Sequence, residues 1–159
     1  MKRLVWFAVV LGLVAAAFML GTRFATREAA FAASADGTRA AWADDRRCWS
    51  GPCQTLWIGA NRGNASKVAT LEGPSHCDEI VWTRDGTRVA FLVDGAQLRF
   101  YDPSSFAPAG QITLVQPQTG PNQSIARGVT FSENGRAITY DECPRGRSGC
   151  RAGLAAVPR

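Results

Sequence analysis

Apolar and polar positions alternate along Ile80–Asp102 in three short bursts, separated by two Asp-Gly dipeptides. Ile80, Val81 and Trp82 make the first burst, and Arg84-Asp85-Gly86-Thr87 interrupts it. Asp-Gly marks a tight hairpin, because the turn needs positive φ and glycine has no Cβ to clash. Val89 to Val93 follows, β-branched and aromatic as strands prefer. After Asp94-Gly95, Leu98 and Phe100 alternate with Gln97 and Arg99, the period of a half-buried strand. Asp102-Pro103 ends the unit, since proline donates nothing to a ladder. The pattern predicts three antiparallel strands.

It occurs twice more, as FAASADGTRAAW and VTFSENGRAITY, so that Asp36, Asp85 and Asn134 fall 49 residues apart. Six positions after each stands an aromatic: Trp42, Phe91 and Tyr140. Leu56–Ile58 matches Leu98–Phe100, and fourth strands are predicted at Lys67–Leu71 and Gln111–Val115. Four short strands in roughly 40–50 residues is the period of a propeller blade. The three repeats are expected over 31–72, 80–116 and 129–158, the last reaching a third strand at Leu154–Val157. Trp42, Trp82, Phe91, Phe100, Phe131 and Tyr140 are expected to pack between blades.

WTRDGTRVAF, residues 82–91, resembles the Trp-Ser-Pro-Asp-Gly-x-x-Ile-Ala-Phe repeat of the TolB-type, WD-like β-propellers of bacterial envelopes. Thr83-Arg84 replaces Ser-Pro, and Ala33 and Phe131 stand where the other copies would carry Trp82. The resemblance extends over residues 30–158. It implies an all-β chain of about three four-stranded antiparallel propeller blades, the last incomplete, after an N-terminal hydrophobic helix. It implies little about activity, because such repeats serve unrelated roles. Ordinary hairpins of a β-sandwich are the alternative.

Ahead of the repeats, Met1-Lys2-Arg3 precedes an uncharged run from Leu4 to Leu20. That is a signal peptide or a short membrane span over residues 1–21. No clean small-residue cleavage site follows it, so the expectation is an uncleaved signal anchor in the bacterial inner membrane, single-pass, with the remainder in the periplasm or outside. Secretion to the periplasm after cleavage is the alternative. Lys2 and Arg3 favour a cytoplasmic N-terminus, against which Arg23 and Arg27 count. Residues 22–29 read as a stalk and 30–159 as the repeat domain.

The net charge is +5, part of it contributed by Lys2 and Arg3. Arg145, Arg147, Arg151 and Arg159 crowd the far end, with no interleaved aromatics on which bases would stack. No nucleic-acid partner is expected. An acidic partner or cell-wall material is the sharper alternative to a merely solvated face.

Four of the five cysteines form close pairs, Cys48/Cys53 and Cys143/Cys150, each between the second and third strands of a repeat. With an export signal, two structural disulfides pinning lengthened hairpins are expected. Zinc is the rival, but neither spacing is Cys-x-x-Cys and His76 is the chain's single histidine. Cys77 stands in His76-Cys77-Asp78-Glu79. Adjacent strand residues point to opposite faces and do not converge on one ion. A metal site, a Cys–His pair, an intermolecular bond and an ordinary loop thiol remain open for it.

The sequence contains no Gly-x-Ser-x-Gly elbow and no phosphate loop. The expectation is a non-enzymatic envelope binding or scaffold module without a cofactor or metal, contacting an envelope protein or a cell-wall component through its pinned loops. Trp49, Arg145, Arg147 and Arg151 are the candidate contact residues. The alternative is a half-propeller that homodimerises into a six-bladed ring with a ligand or hydrolytic site in its central channel.

Overall fold

The computed structural model describes residues 27–116, 123–145 and 149–158. Among these residues the chain is all-β, in three antiparallel sheets whose sequential strands are hydrogen-bonded neighbours. The first sheet holds β1 (Arg27–Ala33), β2 (Ala40–Cys48), β3 (Gly51–Gly59) and β4 (Ala65–Glu72). The second holds β5 (Cys77–Trp82), β6 (Val89–Val93), β7 (Gln97–Tyr101) and β8 (Pro108–Thr113). The third holds β9 (Ser124–Phe131), β10 (Ala137–Pro144) and β11 (Arg151–Ala156). The first strands β1, β5 and β9 pack in succession against one another, so the sheets stack in sequence order.

All five residues of β6 are buried because its sheet is covered on both faces. Val89, Phe91 and Val93 pack against Ala41, Ala43, Leu56, Ile58 and Leu71 of the first sheet. Ala90 and Leu92, on the other face, join Leu98, Phe100, Ala126, Val129 and Ile138 in a second core. Phe91 and Phe100 are both fully buried, and such a ring contributes up to about 3 kcal/mol by its removal from water.

Polar ties cross the same boundaries. Trp82 Nε1 donates to the Ala32 carbonyl at 3.1 Å, and the Cys77 amide donates to Gln54 Oε1 at 2.6 Å. Glu79 accepts the amides of Gly128 and Val129 at 2.8 and 2.9 Å. Tyr140 lies over Gly153 and donates its hydroxyl to the Leu114 carbonyl at 2.9 Å.

Each repeat opens on one turn. Ser34, Thr83 and Ser132 bracket it with amide-to-carbonyl bonds to residues 39, 88 and 137. Two positions on, Asp36, Asp85 or Asn134 accepts from the residues that follow, and Gly37, Gly86 and Gly135 hold φ near +65 to +69°. These are longer loops than the two-residue turn expected from Asp-Gly. Asp94 and Gly95 do form the short one, both at positive φ (56 and 59°).

Several boundaries differ from the sequence reading. β1 begins at Arg27, inside the stretch read as a stalk, because Ala30 packs on the core and Glu28 meets Arg62 at 2.6 Å. β8 runs from Pro108 to Thr113 rather than from Gln111, with proline at its first position, where a missing donor is tolerated. Trp42 does not lie between sheets. It occupies the outward face of the first sheet, where the Arg62 guanidinium stacks 5.7 Å from its ring centre. Arg46 covers Trp57 there in the same way, at 5.1 Å. No helix among the described residues is long and apolar enough to cross a membrane, and the run 4–20 lies outside them.

Candidate functional site at the long-hairpin end

Up-and-down sheets place the β2–β3, β6–β7 and β10–β11 hairpins at one end of the stack, opposite the Asp-Gly and Asn-Gly turns. The links β4–β5 and β8–β9 run at the same end. In the first and third sheets the hairpin is closed by a disulfide: Cys48–Cys53, with Cα atoms 5.8 Å apart, and Cys143–Cys150, at 4.2 Å. Both expected pairs are formed. Trp49 rides on the tip of the first and is fully exposed.

The middle hairpin is short, and a cleft of about 630 Å³ opens beside it. His76, Asp94, Gln97, Arg99, Gln123 and Arg145 are among its lining residues. Asp94 accepts the His76 amide at 2.9 Å, its own amide donates to the His76 carbonyl, and its carboxylate lies 3.2 Å from His76 Nδ1. Asp78 lies 3.0 Å from Nε2 of the same ring and accepts the Gly95 amide at 2.6 Å. Gly95 is required: a Cβ there would stand 2.8 Å from the Cβ of Ile125.

His76, Cys77, Asp78 and Glu79 diverge. His76 and Asp78 close over the turn, Glu79 reaches to β9, and Cys77 is buried against the first sheet. Burial and the neighbouring Asp78 charge push the Cys77 thiol up to about 12, the wrong direction for a nucleophile. Its burial also leaves it no path to an intermolecular bond in the folded chain. Among the described residues no three His, Cys, Asp or Glu side chains are placed to hold a metal ion.

The four candidate contact residues do not form one cluster. Arg145 lines the cleft, donating its amide to the Gln123 carbonyl and Nη1 to Gln123 Oε1 at 3.0 Å. Arg151 is exposed on β11, 3.5 Å from Glu142, a surface pair of small energetic consequence. Trp49 projects from the first sheet, and Arg147 lies outside the described residues. The sequence reading missed Arg99, which it treated only as a polar position of an alternating strand. Arg99 Nε is buried with no hydrogen-bond partner.

No protein-family model matches the chain, and no curated protein matches it. Three solved structures superpose on part of the chain. A crystal structure of the eukaryotic initiation factor superposes with a TM-score of 0.55 at 9% identity, over 84% of this chain and 30% of that one. A mitotic checkpoint complex gives 0.48 at 10% identity, over 74% and 49%. Hydrazine synthase of Kuenenia stuttgartiensis gives 0.46 at 18% identity, over 73% and 32%. The chain therefore spans half or less of the length of these chains. With the sheet order and the stacked first strands, the initiation-factor likeness defines the class: a propeller-like all-β repeat fold.

Proposed function

We propose that this chain is a non-enzymatic binding module of the bacterial envelope, built from TolB-type repeats, whose long-hairpin end contacts an envelope protein or a cell-wall component. The observation that carries the reading is the hairpin end itself. Two hairpins pinned by disulfides flank a cleft, and one of them holds a fully exposed tryptophan. A rigid loop presenting an aromatic ring loses little conformational entropy on binding, which makes it an efficient anchor. Disulfides persist in oxidising compartments, in keeping with residues 1–21 as a signal anchor or a cleaved leader that puts the repeats in the periplasm.

Photocrosslinking from position 49 of the full chain in living bacteria tests this. A discrete envelope adduct is expected, lost when Cys48 and Cys53 are both changed to serine and absent when the crosslinker stands at Thr87, on the opposite end. Equal labelling from both positions, or none from 49, sinks the reading.

A six-bladed ring of two chains is the second reading. Phe31 and Leu154, both exposed, favour it, since one lies on each outward face. Weighing against it, blade-facing Ala41 and Ala43 of the first sheet, and Ala90 and Leu92 of the second, are matched in the third by exposed Thr139 and Asp141. Polar outer faces belong to terminal, capping repeats. The mass of the full chain in solution separates the two readings.

A further inference from the structure

The cleft beside Asp94–Gly95 draws its lining from four separate segments, and its charges are unevenly used. Its one lining acid, Asp94, and the neighbouring Asp78 are both engaged within the chain. Asp78 binds the Gly95 amide and the His76 ring, and Asp94 binds the His76 amide and the other ring nitrogen. The guanidinium groups are not matched. Among the described residues the ion pairs involve Arg62, His76 and Arg151, and none involves Arg99 or Arg145. Arg99 Nε is shut away from water without an acceptor, an arrangement that folded proteins ordinarily avoid. Gln97, Gln123 and Ser124 line the same cleft, with Gln123 Oε1 accepting from Arg145 Nη1.

We propose that this cleft binds a carboxylate carried by an acidic peptide segment of the partner. A carboxylate meets the planar fork of a guanidinium with two parallel hydrogen bonds and supplies the negative charge that neither Arg99 nor Arg145 finds among the described residues. The volume, about 630 Å³, admits a few peptide residues and not merely an ion. The inference rests on the hairpin end being the binding surface, and it specifies the chemistry of what binds there.

The full chain in non-ionic detergent is titrated with N-acetyl-Ala-Glu-Glu-Ala-amide and with the peptide carrying glutamine for glutamate, following backbone amide shifts by NMR. The glutamate peptide is expected to move Ser75, His76, Gln97, Arg99, Ser124 and Arg145, and the glutamine peptide to bind about tenfold more weakly. Arg99→Gln and Arg145→Gln each weaken the glutamate peptide about tenfold, and Arg99→Lys falls between. Thermal midpoints report whether the variants fold. Arg145→Gln, at an exposed position, carries the test alone if Arg99→Gln does not fold. Equal affinity for the two peptides, no binding of either, or wild-type affinity in Arg145→Gln overturns the proposal. A position-49 adduct that survives in Arg145→Gln would then leave the hairpin-end reading standing, whereas loss of both would remove the two together.

Discussion

Glu79 Oε2 accepts the backbone amide of Val129 at 2.9 Å, across the boundary between the second and third sheets. Its other oxygen accepts the adjacent Gly128 amide at 2.8 Å, so one carboxylate caps two consecutive donors that the β9–β10 ladder leaves unpaired through its register shift. Glu79→Gln keeps the size but offers one acceptor oxygen and lacks the charge. Destabilisation by about 1–3 kcal/mol is expected in urea unfolding. A variant as stable as wild type would mean that water serves these amides equally well.

Gly153 and Tyr140 form a second pair, opposite each other on β11 and β10. A Cβ on Gly153 would stand 2.3 Å from the Tyr140 ring, so the ring occupies the room a side chain would need. Gly153→Ala should cost about 1–3 kcal/mol through overpacking. Adding Tyr140→Leu should return part of that loss, a coupling measurable by a double-mutant cycle. Additive effects would show that the ring moves aside freely.

The middle sheet was the most legible part of the chain. Val89–Val93 and Gln97–Tyr101 occur where the apolar bursts put them, because a strand buried on both faces needs an unbroken apolar run and the Asp94-Gly95 turn has one geometry. β1 was less legible: the partner that makes Glu28 acceptable in a strand is Arg62, 34 residues later. The cleft was not legible at all. Alternation in β7 tells which face Arg99 takes, but not that residues 74–76, 123–124 and 145 close around it. The serine or threonine two places before Asp36, Asp85 and Asn134 was visible in all three copies, and its role in bracketing the turn emerges only from its bonds.

Cys77 gives an alkaline signature. The thiol ionises near 9.0 in the unfolded chain and at about 12 in the folded one, because burial opposes the thiolate. A raised folded value means its contribution is constant below pH 9 and is lost progressively as pH climbs toward 12, at about 1.4 kcal/mol per pH unit. Cys77→Ala should flatten the fall of stability above pH 9 relative to wild type. Native protein should also resist iodoacetamide at pH 8 until denaturant is added. Rapid alkylation of the folded chain would contradict the burial.

The turn carboxylates act at the other end of the scale. Hydrogen bonds from Ser34 and then Thr38 hold Asp36 down to about 2, and bonds from Ser104 and then Ser105 do the same for Asp102. A lowered folded value means the contribution is present above the ordinary carboxylate range and disappears as pH falls toward 2. Asp36→Asn retains an acceptor without the titration, so its melting temperature should fall less steeply than that of wild type between pH 4 and 2. Parallel curves would show that the turn does not sense the charge.

Removing the Cys48–Cys53 bond separates stability from recognition. The loop it closes spans five residues in sequence, and the chain-entropy account gives about 2 kcal/mol for a ring so short. β2 and β3 pair along their whole length without it, from Ala40 opposite Gly59 to Cys48 opposite Gly51. The doubly serine-substituted chain should therefore fold, with a modest drop in melting temperature and an unchanged circular-dichroism spectrum. Trp49 has no contact of its own to hold it once the pin is gone, being exposed on every side. With 5-hydroxytryptophan placed at position 49 alone, so that the four other tryptophans do not contribute, its fluorescence anisotropy should fall, and crosslinking from position 49 should be lost although the chain still folds. Cys143 and Cys150, changed in the same way, should leave Trp49 anisotropy at the wild-type value, because that pair closes a hairpin of the third sheet. Equal loss of anisotropy from either pair would mean the two hairpins move as one surface.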